Sequence, residues 1–203
     1  MHVTAHRRQG EYSRRDEDGI SAARVAARSG NLRCIQLLVD ANARVDPEGR
    51  DEDTPLMYAT LRNNAKYRYM RRLINRNADV EARDTDNKAA LIVAAEQGHT
   101  EYLQLLLDSK AAVNATDDCG RMALMCAMRL GHIACARLLL SYNVYVNANE
   151  TLYGGRTALT RAYEHGQMDC LQLLLDENAH AIIFDWMHNP DFRAEFYRSV
   201  TQS

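Results

Sequence analysis

Several things that would point to common functions are scarce or missing here. No apolar run approaches the roughly 18 residues needed to cross a bilayer, and no secretory leader is recognisable at the start, so a soluble chain is expected. Charge of one sign is missing too: 25 basic against 27 acidic residues leave a net charge of -2. Such a balance gives no general attraction to nucleic acid or to an anionic membrane surface, and partners must be selected by shape and local charge. The five cysteines include no C-x-x-C pair, which suits neither a disulfide framework nor a zinc site. No glycine-rich phosphate loop appears, and no acid, base and nucleophile stand in a recognisable pattern. No catalytic residues, metal or cofactor are therefore expected.

What the chain does have is repetition. A phrase of a small or polar residue, an apolar stretch and an alanine returns five times, starting at Ser21, Thr54, Ala89, Met122 and Thr157, at intervals of 33 or 35 residues. The phrases close on Ala26, Ala59, Ala94, Ala127 and Ala162. Repetition at this period is the signature of a stacked solenoid, whose units leave an apolar face open until a neighbour covers it. Four residues past each alanine stand Gly30, Asn63, Gly98, Gly131 and Gly166. Glycine, then asparagine, adopts the left-handed conformation that ends many helices at least cost, so a first helix ends there in every copy. A second apolar run follows, Leu37-Leu38-Val39, Arg72-Leu73-Ile74, Leu105-Leu106-Leu107, Leu138-Leu139-Leu140 and Leu173-Leu174-Leu175, and reads as the buried stripe of a second helix. Val45, Val80, Val113 and Val146, each followed by a polar or acidic residue, mark the return into a turn. Each unit reads as helix, turn, helix and extended finger. With 46% hydrophobic residues in 203, the chain can bury one long, thin core rather than two separate ones.

The phrase Thr54-Pro55-Leu56 with Ala59, the pairs Gly98-His99 and Gly131-His132, and Val113-Asn114-Ala115 resemble the ankyrin-repeat family. The resemblance covers about residues 16 to 184 and implies an all-α solenoid of helix-turn-helix units joined by short β-turn fingers. Its five repeats are placed at about 16–48, 49–83, 84–116, 117–151 and 152–184. Two departures are visible: only one copy keeps the proline, and two spacings are 35. One extra pair falls within residues 64–68, between the helices of the second copy, and the other within 148–156, lengthening a finger. Insertions of this kind are tolerated in loops and often sit on the binding side.

Cys34, Cys135 and Cys170 occupy one repeat position, which Tyr102 fills in the third copy. They read as compact apolar filler in the second helix, leaving Cys119 as the thiol expected to be exposed. Free thiols point to a reducing cytosol, with the nucleus as the alternative. His99 and His132 belong to the inter-helix position that, in the family, ties neighbouring units through backbone groups. His165 stands elsewhere in the repeat, at the end of a first helix.

The resemblance implies that first helices and fingers line a concave face, and that finger positions and the last residues of each first helix meet a partner. The finger positions are Asp18 and Ile20, Asp51 and Asp53, Asp86 and Lys88, Cys119 and Arg121, then Tyr153 and Arg156. The helix-end positions are Arg28 and Ser29, Leu61 and Arg62, Glu96 and Gln97, Arg129 and Leu130, then Glu164 and His165. Signs along this series predict a groove acidic at its first fingers and basic at its last. Leu61, Arg129, Leu130, Tyr153 and Arg156 are the expected anchors, since aromatic and arginine side chains are enriched where binding energy concentrates.

The ends differ from the middle. Residues 1–15 carry Arg7, Arg8, Arg14 and Arg15 against Glu11 with no apolar period, and read as a loose basic arm. Residues 185–203 read as a capping helix: Asn189 and Pro190 suit its first turn, and Phe192, Phe196 and Val200 form an apolar stripe. The same stripe, with Trp186, can alternatively be read as a docking motif for another protein. Taken together, the expectation is a monomeric, non-enzymatic module that binds another protein as an adaptor, scaffold or inhibitor in signalling. The competing expectation is a targeting portion of a larger enzyme or signalling protein.

Overall fold

The computed structural model describes residues 22–29, 31–41, 43, 54–61, 67–151 and 155–176. The segments expected to form a basic arm and a capping helix, and the outer borders expected for the first and last repeats, lie outside these residues. Among these residues helices follow in pairs: α1 (Ala22–Arg28), α2 (Leu32–Asp40), α3 (Pro55–Leu61), α4 (Tyr67–Asn75), α5 (Ala90–Glu96), α6 (Thr100–Asp108), α7 (Ala123–Leu130), α8 (Ile133–Leu140), and α9 (Ala158–Glu164) with the segment that follows it. Residues 168–176 are helical as well and pair with α9 as the second helix of the fifth copy.

Two rows result. First helices α1, α3, α5, α7 and α9 stack on one another, and second helices α2, α4, α6 and α8 form a parallel row behind them. The closing alanines explain the close approach: Ala26, Ala59, Ala94, Ala127 and Ala162 are all buried in one continuous core with Leu56, Met70, Leu73, Leu91, Leu103, Leu106, Leu124, Leu139 and Leu174. A larger side chain at the alanine position would push neighbouring helices apart. Each fully buried leucine contributes about 1.5 to 3 kcal/mol, so the stack, not helix propensity, holds segments of seven to nine residues in shape.

Helix ends follow local chemistry. Gly98, Gly131 and Gly166 have φ of 69°, 75° and 67°, the left-handed turn anticipated at the end of each first helix. Gly30 and Asn63 lie outside the described residues. At the start of α3 the Thr54 hydroxyl accepts from the Met57 N–H at 3.2 Å. Thr157 and Thr160 form a reciprocal capping box at the start of α9.

The fingers are turns pinned by single antiparallel bridges, Arg83 with Ala89 and Thr116 with Met122. Successive fingers are tied in register. The Ala112 N–H donates to the Glu81 carboxylate at 2.7 Å, and one repeat later the Tyr145 N–H donates to the Asn114 side-chain oxygen at 2.7 Å. The histidines bridge copies as the resemblance implied. His99 Nδ1 donates to the Thr60 carbonyl at 2.7 Å, and His132 Nε2 to the Glu96 carbonyl at 3.1 Å.

Two expectations for the first copy are corrected. Cys34 is exposed, whereas Cys135 and Cys170 are buried and Cys119 is only partly so. Leu37, expected in the buried stripe, is 60% exposed. The reason is the direction of stacking: Cys135 is covered by the preceding unit, its Sγ lying 3.4 Å from the Thr100 hydroxyl, and no described unit precedes α1 and α2.

Candidate protein-binding face

The last turns of the first helices and the adjoining fingers form one continuous face, because α3, α5, α7 and α9 stack side by side. Its described residues among those singled out are Leu61, Asp86, Lys88, Glu96, Arg121, Arg129, Leu130, Arg156, Glu164 and His165. Asp51, Asp53, Arg62 and Tyr153 lie outside the described residues, as do Asp18 and Ile20.

Most of its charges are matched within the chain. Lys88 Nζ stands 3.4 Å from the Glu96 carboxylate and 3.8 Å from that of Asp86. Arg156 Nε donates to Glu164 at 2.7 Å. These are the same two repeat positions, a finger cation and a helix-end acid, in the third and fifth copies. In the fourth copy the helix-end residue is Arg129, and the finger cation turns back instead: Arg121 donates from Nε and Nη2 to Asp117 Oδ2, each at 2.7 Å. Burial works against the charged guanidinium of Arg121, but the Asp117 carboxylate outweighs it and holds the group above its ordinary range.

This pairing alters the expected gradient from acidic to basic. Arg121 and Arg156 are neutralised by acids of their own copies, so the later fingers do not present two open cations. Arg129 is half-buried and, among the described residues, makes neither a hydrogen bond nor an ion pair. His165 is exposed and donates from Nδ1 to the Arg161 carbonyl at 3.0 Å, within its own helix. Two large apolar side chains open from helix ends, Leu61 at 39% and Leu130 at 37% exposed.

The residues that shape this face from beneath were missed in the sequence. Asp84, Asp117 and Glu150 recur every 33 residues at the base of successive fingers. Asp117 Oδ1 accepts from the backbone N–H groups of Cys119 and Arg121, both at 2.9 Å, and Asp84 Oδ1 does the same for Asp86 and Lys88 at 2.9 and 2.8 Å. The column was visible as a spacing, but these acids were not separated from the solvent-facing ones beside them. Among the described residues, no three His, Cys, Asp or Glu side chains gather in a way that could hold a metal ion, and no helix is long and apolar enough to cross a membrane.

A stack of paired short helices with turn-like fingers is the architecture of a repeat protein built for surface recognition. A family model described as "Ankyrin repeats (3 copies)" matches residues 23–117 and again residues 91–185, and the chain belongs to the ankyrin-repeat family. Proteins of this family generally serve as protein–protein interaction modules. A search of curated proteins finds no match.

Proposed function

We propose that this chain is a non-enzymatic interaction module, an adaptor or inhibitor that engages another protein through the finger and first-helix face. The observation that carries the reading is the exposure of Leu61 and Leu130 at 39% and 37% on a face whose surrounding charges are mostly paired. Apolar anchors ringed by matched polar groups are the arrangement from which interfaces draw binding energy. Burial of the free thiols Cys126, Cys135 and Cys170 fits a reducing compartment such as the cytoplasm.

The test is an affinity purification with the wild-type chain beside the double variant Leu61→Glu, Leu130→Glu. Both substituted positions are partly solvent-exposed, so circular dichroism should show the same helical signal and melting temperature. Proteins retained by the wild type should be lost by the variant. Retention of the same set by a folded variant removes this face as the binding site.

A further inference from the structure

We propose that the partner presents a carboxylate side chain to Arg129 beside an apolar side chain seated on Leu130, making the target an acidic and apolar protein segment. This rests on the reading of the finger and first-helix face as the protein-binding surface, and it names the chemistry of what binds there.

The inference comes from comparing equivalent positions. In the third copy the finger cation Lys88 meets the helix-end acid Glu96 at 3.4 Å, and in the fifth Arg156 meets Glu164 at 2.7 Å. The fourth copy replaces that acid with Arg129. Its finger cation, Arg121, has Asp117 at 2.7 Å, so the pairing of finger cation with helix-end acid found in the other two copies is absent from this one. Among the described residues Arg129 has no hydrogen-bond or ion-pair partner, and it is half-buried. A partly desolvated cation without a counter-charge is unfavourable until an anion arrives.

A cation in the last turn of a helix also complements the helix dipole. That role does not account for the position, because Glu96 and Glu164 place the opposite sign at the same point of α5 and α9. Neither glutamate repels an incoming anion strongly, since Lys88 and Arg156 already neutralise them. Glu96 is further held by the Cys126 thiol, which donates to it at 3.9 Å.

The geometry selects a carboxylate rather than a polyanion. A guanidinium presents a planar fork that fits a carboxylate with two parallel hydrogen bonds. Nucleic acid binding instead needs a row of open cations along a phosphate backbone, and here the neighbouring cations are closed by their own acids. Leu130, the next residue in the same last turn, supplies the adjoining apolar contact.

The experiment pans a random dodecapeptide phage library against the immobilised full chain. A wild-type pool enriched in Asp or Glu next to a large apolar residue is expected. A synthetic peptide from that pool, followed by fluorescence anisotropy, should bind Arg129→Ala at least about tenfold more weakly, and Arg129→Lys should recover only part of the loss because lysine lacks the fork. With Arg129→Glu, replacing the peptide's acid by lysine should restore binding. The melting temperature of each variant, measured alongside, should match the wild type. The proposal is overturned if the selected pool is no more acidic than the unselected library, if the peptide binds Arg129→Ala as well as wild type, or if a single-stranded oligonucleotide displaces it. Peptides that lack acids yet fail on Leu61→Glu, Leu130→Glu defeat the Arg129 assignment alone. Peptides insensitive to both sets of substitutions, or a library that enriches nothing, count against the binding face as well.

Discussion

Arg161 grips Glu150 at two points, its Nε 2.7 Å from one carboxylate oxygen and its Nη2 2.6 Å from the other. Glu150 is the third member of the column that begins with Asp84 and Asp117. Its backbone keeps the shared finger bond, the Glu150 N–H donating to the Arg156 carbonyl at 2.9 Å as Asp117 does to Arg121 at 3.1 Å. Its side chain departs from the pattern. A finger longer by two residues carries a side chain longer by one methylene, and the carboxylate reaches the first helix of the next copy instead of capping its own turn. The hydrogen bond that Arg161 donates to Glu150 is the main cause that raises its guanidinium above the ordinary range.

This pair predicts an asymmetric response to mutation. The Glu150 side chain is 0% exposed and that of Arg161 13%, so Arg161→Met strands a carboxylate with no route to water. It should cost about 3 to 5 kcal/mol in urea unfolding. Glu150→Gln leaves a cation that can reach solvent, and should cost less, about 2 kcal/mol. The double variant Glu150→Met, Arg161→Met should recover most of the loss. Equal costs for the two single variants would show that the pair is not governed by burial.

Glycine at the end of α5 is required for two separate reasons. Gly98 has φ of +69°, and a Cβ there would stand 2.7 Å from the His132 ring, the ring that holds the Glu96 carbonyl. Gly166 has φ of +67° with nothing within 4 Å of the same point. Gly166→Ala should therefore cost only the backbone strain, about 1 kcal/mol. Gly98→Ala should cost distinctly more in the same unfolding titration, because His132 must shift as well. Adding His132→Ala should bring the two glycine effects closer together.

A second left-handed position ends the second helices: Asn77, Lys110 and Asn143 have φ of 59°, 67° and 54°. Asparagine adopts this conformation at lower cost than lysine. Lys110 is exposed, so Lys110→Asn should stabilise the stack by about 0.5 to 1 kcal/mol. The thermal midpoint should rise, and an unchanged or lower midpoint would contradict the strain.

Thiol chemistry should divide the cysteines. Under native conditions Cys34 should react with a maleimide well before Cys126, Cys135 and Cys170, which are buried. Burial, assisted by Glu96, pushes the Cys126 thiol from 9.0 up to about 12. The unfolded chain ionises at the lower value, so the stability Cys126 confers is complete below about pH 9 and is lost as pH rises towards 12. Relative to Cys126→Ala, the wild type should lose about 1.4 kcal/mol more for each pH unit in that window.

Much of the fold was legible in the residues. The closing alanines and the glycines at 98, 131 and 166 follow from chemistry repeated at one spacing, and the bridging role of His99 and His132 from the family resemblance. A column of asparagines was equally visible in the sequence, at Asn42, Asn77, Asn143 and Asn178 with Lys110 as its exception; its described members Asn77 and Asn143 end second helices, a role masked in the pattern by the nearby leucines. Cys34 and Leu37 were misplaced because a repeat position implies burial only where a neighbouring unit covers it. For the binding face, Leu61 and Leu130 could be picked out by position along the helix, and the state of the charges could not.

The amino-acid order by itself determined the unit, its period and where each first helix stops, because those depend on backbone preference and on apolar spacing within a few residues. Only the tertiary structure decided which charges are closed and which stay open. Lys88, Arg121 and Arg156 share one repeat position, yet Arg121 closes on its own finger while the others close on a helix end. The choice depends on what stands eight residues ahead and on distances of a few ångströms between side chains. Those distances exist only once the helices are stacked, and they leave Arg129 of the fourth copy without a partner among the described residues.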